Sequence, residues 1–118
     1  MKLHFLGANR QVTGSRYVVD APDVRIMIDC GLFQEREFQD RNWEESPIDP
    51  ASINLLLLTH AHLDHCGRIP KLVKNGYAGM IYATPPSIEL TRLVLEDSAE
   101  IQEEDAAYKR TRHQREGR

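Results

Sequence analysis

The sequence predicts an α/β fold, because short apolar segments of strand character alternate with segments of helical character along its 118 residues. Residues 16–20 and 24–29 are rich in β-branched side chains, and a turn that contains Pro22 separates them. Residues 55–58 are consecutive leucines, which is typical of a buried strand. A helical pattern follows this run at residues 67–74, so strands and helices alternate within one domain.

The N-terminal part contains a short strand, a polar loop and the two β-branched strands. The first strand covers residues 3–6 and ends at Gly7. Residues 7–15 form a small polar loop, which is either a backbone turn able to receive phosphate on its N–H groups or a plain hairpin connection. Asp29 ends the strand 24–29, at the kind of position where α/β enzymes place chemistry, although its carboxylate could also cap the next turn.

The middle of the chain connects these strands to a second group of elements. Residues 34–45 are charged and carry spaced aromatic side chains, which indicates a partly ordered helix or a packed loop. Residues 48–52 form a turn. The helix predicted over 67–74 has apolar side chains on one face and ends at an Asn-Gly pair. Residues 79–83 are another short strand.

The last predicted element is a long helix with Thr84 as its N-cap and Pro85 at its first position. Its apolar stripe consists of Leu90, Leu93, Val94 and Ile101. Acidic residues precede basic ones along this helix, which suits the helix dipole. The basic end could contact nucleic acid, but the lack of interleaved aromatic residues and the net charge of −3 favour a solvated, fraying end.

Composition limits the class of protein. A length of 118 residues suits a single domain, and a hydrophobic fraction of 41% is sufficient for a core. No apolar run approaches the roughly 20 residues that a membrane span needs, and the N-terminus lacks the anatomy of a signal peptide. We therefore expect a cytoplasmic protein without a membrane partner.

The strongest chemical signal follows the leucine run directly. Three imidazoles and a carboxylate occupy six consecutive positions there: His60, His62, Asp64 and His65. These are the ligand types that catalytic zinc takes when it keeps a position open for water. In an extended segment His60 and His62 point the same way, whereas Asp64 and His65 come where the chain turns towards a helix. Two adjacent metals could use these four side chains more easily than one. The alternative, histidines without a metal role, is disfavoured because five scattered histidines rarely cluster in this way.

The two cysteines each stand beside a candidate site residue. Cys30 follows Asp29, and Cys66 follows His65. This placement is compatible with thiolate ligands. We favour the alternative, that both are small buried apolar residues in a reducing compartment.

The segment His60-x-His62-x-Asp64-His65 resembles the signature of the metallo-β-lactamase fold, which lactamases, glyoxalase II, tRNA 3′-processing nucleases and β-CASP nucleases share. The flanking segments are similar to those of bacterial β-CASP metallo-hydrolases. They are Gly7-Ala8, Val12-Thr13-Gly14-Ser15, Asp29-Cys30-Gly31-Leu32-Phe33-Gln34, Cys66-Gly67-Arg68-Ile69-Pro70 and residues 97–105. The resemblance covers almost the whole chain.

The resemblance implies the first half of an αββα sandwich, in which helices flank a mixed β-sheet, and an RNA-processing phosphodiesterase with two Zn²⁺ ions. By match with the motif, His60 and His62 would hold the first zinc, and Asp64 and His65 the second. Asp29 would support the site by hydrogen bonding, and Asp64 could also orient the attacking hydroxide. Two zinc ions would generate that hydroxide near neutral pH and offset charge on the phosphoryl oxygens of RNA.

The chain also departs from this family's pattern. The later ligand motifs and the inserted β-CASP domain have no counterpart, so residues 1–118 resemble a partial metallo-β-lactamase domain. Each zinc would have two protein ligands where it needs about four ligands in total, and nothing in their spacing brings His4 or His113 to the site.

A partial domain would leave an apolar sheet face uncovered. We therefore expect a second copy or a complementing C-terminal fragment as a partner beside the RNA substrate, and little turnover by the chain alone. The alternative is a non-catalytic metal-binding or interaction module, or a hydrolase of another substrate within the same superfamily.

Overall fold

The computed structural model describes residues 1–8, 13–44 and 46–115, with side chains up to residue 112. Within these residues, five strands form one mixed sheet in the order β1-β2-β3-β4-β5. The strands are β1 (Lys2–Gly7), β2 (Arg16–Ala21), β3 (Val24–Ile28), β4 (Leu55–Leu57) and β5 (Met80–Tyr82). The helices are α1 (Leu63–Cys66), α2 (Ile69–Lys74) and α3 (Pro85–Arg115), and two 3₁₀ segments cover Arg36–Trp43 and Pro50–Ser52. The predicted mixed α/β architecture is confirmed.

Strand direction changes in the middle of the sheet. The strands β1, β2 and β3 pair antiparallel, whereas β3, β4 and β5 pair parallel, with Ile28 opposite Leu57. The carboxyl ends of parallel strands meet at one edge of a sheet. The residues that follow β3 and β4 are therefore neighbours in space, and they include Asp29 and the histidine segment.

The predicted elements are present, with shifts at their ends. Ala21 belongs to β2 rather than to the turn, and Asp29 lies just outside β3. The helix predicted over 67–74 begins only at Ile69, because the N–H of Gly67 bonds back to Leu63 and so closes the preceding helix α1. The charged segment 34–45 contains a 3₁₀ helix, in agreement with a partly ordered helix.

The core lies between the sheet and α2. Val18, Met27 and Leu56, one from each central strand, have no solvent exposure, and Ile69 and Leu72 of α2 cover them. Full burial of such an aliphatic side chain contributes about 1.5–3 kcal/mol. These contacts hold α1 and α2, and with them the histidine segment, against one face of the sheet.

The opposite face of the sheet is uncovered in the part of the chain that the structure describes. The strand register aligns Phe5, Leu57 and Tyr82 across the sheet, and these side chains are 59%, 39% and 51% exposed. We refer to the exposed apolar side chains of this face as the open sheet face: Leu3, Phe5, Leu57, Met80 and Tyr82. The expectation of an uncovered apolar face agrees with this arrangement.

The long helix α3 begins as predicted, and only part of its apolar stripe meets the core. The carbonyl of Thr84 accepts a hydrogen bond from the N–H of Ile88 at 3.0 Å. Val94 packs against the core together with Leu95. The other three members of the apolar stripe, Leu90, Leu93 and Ile101, are at least half exposed. A helix of 31 residues is about 46 Å long and extends past the sheet that could cover it.

The far end of α3 is surrounded by solvent. Side chains from 99 to 112 are all exposed, in agreement with a solvated end. The last basic residue, Arg118, lies outside the described residues. Among the residues that are described, no helix combines the length and the apolar character needed to cross a membrane.

Candidate metal centre

The histidine segment leaves the carboxyl end of β4 and enters α1. His62 precedes the first residue of this helix in extended conformation. The ring of His60 lies between the other two, with centroid distances of 4.9 Å to His62 and 3.7 Å to His65. The structure therefore brings together the three imidazoles that the sequence predicts as ligands.

Asp29 is the buried support of this cluster. Its side chain is almost fully buried, and its backbone has a φ of +60°, a left-handed conformation that aspartate adopts more readily than most residues. One carboxylate oxygen accepts a hydrogen bond from the Thr59 N–H at 2.8 Å. The other accepts one from the Thr59 hydroxyl and one from His65 Nδ1, both at 2.8 Å. The carboxylate thus contacts a histidine that is a predicted ligand.

These hydrogen bonds determine which ring nitrogens are free. Since a carboxylate only accepts, His65 must donate from Nδ1, which leaves the lone pair of a neutral ring on Nε2. The Thr59 hydroxyl donates to Asp29 and therefore accepts from His60 Nδ1, which lies 3.1 Å away. His60 then also carries its lone pair on Nε2. Metal-ligating histidines show this arrangement, in which the other nitrogen donates to an acceptor of the protein.

Asp64 is half-buried beside His65, whereas His60 and His62 are exposed. Its carboxylate is 3.4 Å from His65 Nε2, and both side chains are 20% exposed. Together with His62 and with Asp97 from α3, Asp64 lines a groove of about 400 Å³. The groove thus has two carboxylates beside an exposed imidazole.

The site is held by backbone hydrogen bonds between three segments. The N–H of Ser15 donates to the carbonyl of Asp64, and the N–H of Cys30 donates to that of His65. Gly31 lies so close that a Cβ there would stand 1.7 Å from the Asp64 carbonyl oxygen. This close approach requires glycine, and it connects the end of β3 to α1.

Sequence reasoning missed Thr59 and Ser15. Thr59 bridges Asp29 and His60, and the hydroxyl of Ser15 lies 3.4 Å from the Asp29 carboxylate. The signal that could have identified Thr59 is its position, since it is a polar residue between a buried strand and a histidine. Such a residue is a candidate hydrogen-bond partner when an acidic residue follows the neighbouring parallel strand, as Asp29 does here.

The other candidate positions take part in local structure. Thr13 of the loop 7–15 donates its N–H to Glu35, and the Ser15 N–H is occupied by Asp64, so neither is available to a phosphate. Residues 9–12 of this loop lie outside the described residues. His4 bonds Asp20 at 2.8 Å on β1 and β2. His113 belongs to α3, and its side chain is likewise outside the described part.

The cysteines are core residues. Cys30 and Cys66 are at most 1% exposed and belong to the buried apolar cluster. Burial raises the pKa of both thiols. Nearby acidic groups add to the effect at Cys66, whose pKa is raised to about 11, whereas Arg16 and Arg68 oppose it at Cys30. This supports the preferred interpretation of both as small buried residues rather than thiolate ligands.

The donor chemistry fits a divalent metal, whereas the geometry is incomplete. Imidazole nitrogens with buried hydrogen-bond support and an adjacent carboxylate are suitable ligands. Within the described residues, however, no three His, Cys, Asp or Glu side chains are grouped so that they could hold one ion. His60 and His65 lie ring against ring rather than around a common point.

Comparison with known proteins places these observations in a family. Residues 10–111 match the Metallo-beta-lactamase superfamily. The chain is 44% identical over 104 residues to Ribonuclease TTHA0252 of Thermus thermophilus, and 38% identical over 104 residues to Transcription termination factor FttA of Methanocaldococcus jannaschii. These alignments cover 88% and 86% of the chain but 24% and 16% of the relatives, so the chain spans at most about a quarter of their length.

A solved structure shows the same fold. The short form of human tRNase Z superposes with a TM-score of 0.51 at 22% identity, over 84% of this chain and 41% of that one. The fold of this chain is therefore a known one.

Proposed function

The chain belongs to the metallo-beta-lactamase superfamily, and from this premise we propose that it is the metal-bearing N-terminal part of a β-CASP-type hydrolase that cleaves RNA phosphodiester bonds. The observation that carries the proposal is the set of hydrogen bonds around Asp29. Its carboxylate accepts from Thr59 and from His65, and Thr59 in turn accepts from His60, which leaves Nε2 of both rings free for a metal. The ribonuclease named among the relatives supports RNA as the substrate. An enzyme that processes RNA suits the cytoplasmic location expected from the sequence.

Membership of the superfamily implies a divalent metal, and we propose Zn²⁺ at two positions. His60 and His62 would bind the first ion, and Asp64 and His65 the second. Bound zinc supplies Lewis acidity, which makes water nucleophilic near neutral pH and neutralises charge on phosphoryl oxygens. Nitrogen and carboxylate ligands suit this metal.

The protein groups have separate roles in this proposal. Asp29 and Thr59 keep His60 and His65 in the tautomer that presents Nε2. Asp64, at the groove, orients the attacking water and receives its proton. Residues 1–118 would act as a partial domain, since they supply two protein ligands for each ion.

The remaining ligands would come from a complementing C-terminal fragment or from a second copy. The open sheet face supports this part of the proposal, because a monomer rarely exposes a contiguous apolar face of this kind. The same observation favours the second candidate function, a non-catalytic metal-binding or interaction module.

Zinc per chain, measured by elemental analysis on purified protein, tests whether the metal site is completed. Near two zinc ions per chain are expected when the site is completed, with loss in His60→Ala and in Asp64→Ala. The matched control is His4→Ala, since His4 bonds Asp20 outside the site and its removal should leave the metal content unchanged.

RNA cleavage by the same preparations completes the test. Cleavage that depends on zinc and disappears in Asp64→Ala supports the hydrolase. Stoichiometric zinc without cleavage, both alone and with a complementing C-terminal fragment, would contradict it and leave the binding module.

A further inference from the structure

Two arginines are buried near Cys30. Arg16 begins β2, Arg68 lies between α1 and α2, and each is only 5% exposed. Neither Nε has a hydrogen-bond partner within the part of the chain that the structure describes. Buried charges are normally paired, because removal from water disfavours the charged form strongly. We call Arg16 and Arg68 the arginine pair.

The groups around the arginine pair compensate these charges incompletely. The Cys30 thiol is within hydrogen-bonding reach of Arg16, but sulfur is a weak acceptor. Burial, and next the charge of Arg16, lower the pKa of Arg68 to about 10. Glu44 acts in the opposite direction from an exposed position, so it does not replace a buried anion.

The arginine pair faces a cavity of suitable size and charge. Arg16 and Arg68 line a space of about 250 Å³, in which Arg41 and Glu44 also take part. Three guanidinium groups and one carboxylate give this lining an excess of two positive charges. The ring of Phe33 lies 5.7 Å from the Arg68 guanidinium carbon and adds a cation–π contact that orients it.

We propose that Arg16 and Arg68 form a binding site for a dianion of the phosphate class, either inorganic phosphate or a phosphate monoester. The guanidinium fork matches phosphate oxygens in bidentate geometry. Two buried cations match a dianion better than a single carboxylate. Among the described residues, none of the four predicted metal ligands lines this cavity. The proposed anion site is therefore separate from the proposed metal site.

Thermal unfolding of the 118-residue chain, followed as inorganic phosphate is added at constant ionic strength, tests the proposal. Ligand that binds only the folded state raises Tm in a saturable manner. We expect such a rise with phosphate and a much smaller one with acetate. No rise beyond that of sodium chloride would overturn the proposal, and an equal rise with acetate would overturn the assignment to the phosphate class.

Variants locate the effect. Arg16→Gln and Arg68→Gln should each weaken the apparent phosphate affinity by about tenfold or more, because each removes one charged fork. The matched control is Arg92→Gln, since Arg92 is exposed and pairs with Glu96 on α3. A phosphate effect that survives in both pair variants would indicate an adventitious ion only.

A third variant guards against loss of folding. Arg68→Lys keeps the charge and removes the fork, so it should fold and bind phosphate more weakly than the unchanged chain. Without phosphate, Arg68→Gln should be at least as stable as the unchanged chain, because an uncompensated buried charge is gone. Undiminished binding by Arg68→Lys would contradict bidentate recognition.

Discussion

The hydroxyl of Thr59 joins two residues that the sequence alone does not connect. It donates to Asp29 and accepts from His60. The buried carboxylate thus orients the exposed ring of His60 through the Thr59 hydroxyl. The ring of His65 bonds the same carboxylate directly. The two imidazoles are therefore oriented by a common acceptor.

Thr59→Val removes this hydroxyl with little change in shape. We expect zinc affinity to fall by about tenfold, because loss of a supporting hydrogen bond typically weakens a metal site by that factor or more. Competition with a chromogenic chelator measures it. The control is Thr91→Val: the Thr91 hydroxyl is buried and has no hydrogen-bond partner among the described residues, so its removal should leave affinity unchanged and stability equal or higher. Equal affinities in both variants would contradict the role of Thr59.

Asp20 gives the protein an acid-dependent contribution to stability. Its hydrogen bond with Arg25, and next that with His4, lowers the pKa of Asp20 from 3.8 to about 2. A folded-state pKa below the unfolded value stabilises the protein above the unfolded pKa, and this contribution disappears as pH falls through the folded pKa.

In Asp20→Asn we therefore expect Tm to fall less steeply between about pH 4 and pH 2 than in the unchanged chain, as followed by circular dichroism. Asp23→Asn, in the exposed turn between β2 and β3, should keep the original slope. Parallel pH profiles for all three proteins would show that the Asp20 interaction has no such effect.

How far sequence reasoning reaches is also visible at this scale. His60, His62 and His65 lie within six consecutive positions, so their spacing in the sequence alone predicts the cluster. The roles of Thr59 and Ser15 depend on the parallel pairing of β3 with β4, which places position 29 beside position 59. Periodicity and composition carry no information on that pairing.

At the scale of elements, the junction of β3 with α1 has almost no free space. Gly31 has an ordinary φ, yet a Cβ there would meet the Asp64 carbonyl oxygen at 1.7 Å and the Ser15 nitrogen at 2.8 Å. Backbone atoms cannot move aside as a flexible side chain can. The two elements are in contact because this residue has no side chain.

Gly31→Ala should therefore lower the free energy of unfolding by about 2–4 kcal/mol, because the ends of β3 and α1 must separate. Urea denaturation measures the change. Gly76→Ala is the matched comparison, since Gly76 has a positive φ of 116° but its Cβ would make only an ordinary contact of 3.8 Å with the Ala51 Cβ, and about 1 kcal/mol is expected there. Similar losses for both variants would argue against a steric cause at Gly31.

For the helix α3, the sequence predicts the N-terminus but not which side chains are buried. Its N-terminus could be located from Thr84 and Pro85, since capping is local chemistry. Its apolar periodicity predicts which side chains share a face, but not whether another element covers them. Val94 meets the core, whereas Leu93 beside it remains 62% exposed.

For the whole molecule, one side of the sheet carries helices and the other carries exposed apolar side chains. The open sheet face extends from β1 to β5 and includes Phe5 and Met80, which are 59% and 64% exposed. Covering such a face would release ordered water and stabilise the fold.

We expect the chain to self-associate through this face when no complementing fragment is present. The double variant Phe5→Lys/Met80→Lys should weaken association by about tenfold or more, because charged side chains would have to leave water in the interface. Analytical ultracentrifugation over a concentration series measures it. Leu93→Lys, on exposed α3, should leave association unchanged. A chain that is monomeric at all concentrations would contradict this expectation.

The hydrogen bonds of Asp29 also bear on the order in which the chain folds. They join residues that are 30 and 36 positions apart, so the two strands β3 and β4 must first be brought together across a long intervening segment. During synthesis, which proceeds from the N-terminus, the strands up to Ile28 can form hairpins long before residue 65 leaves the ribosome. We therefore expect the histidines to acquire their orientation late, after the antiparallel half of the sheet has formed.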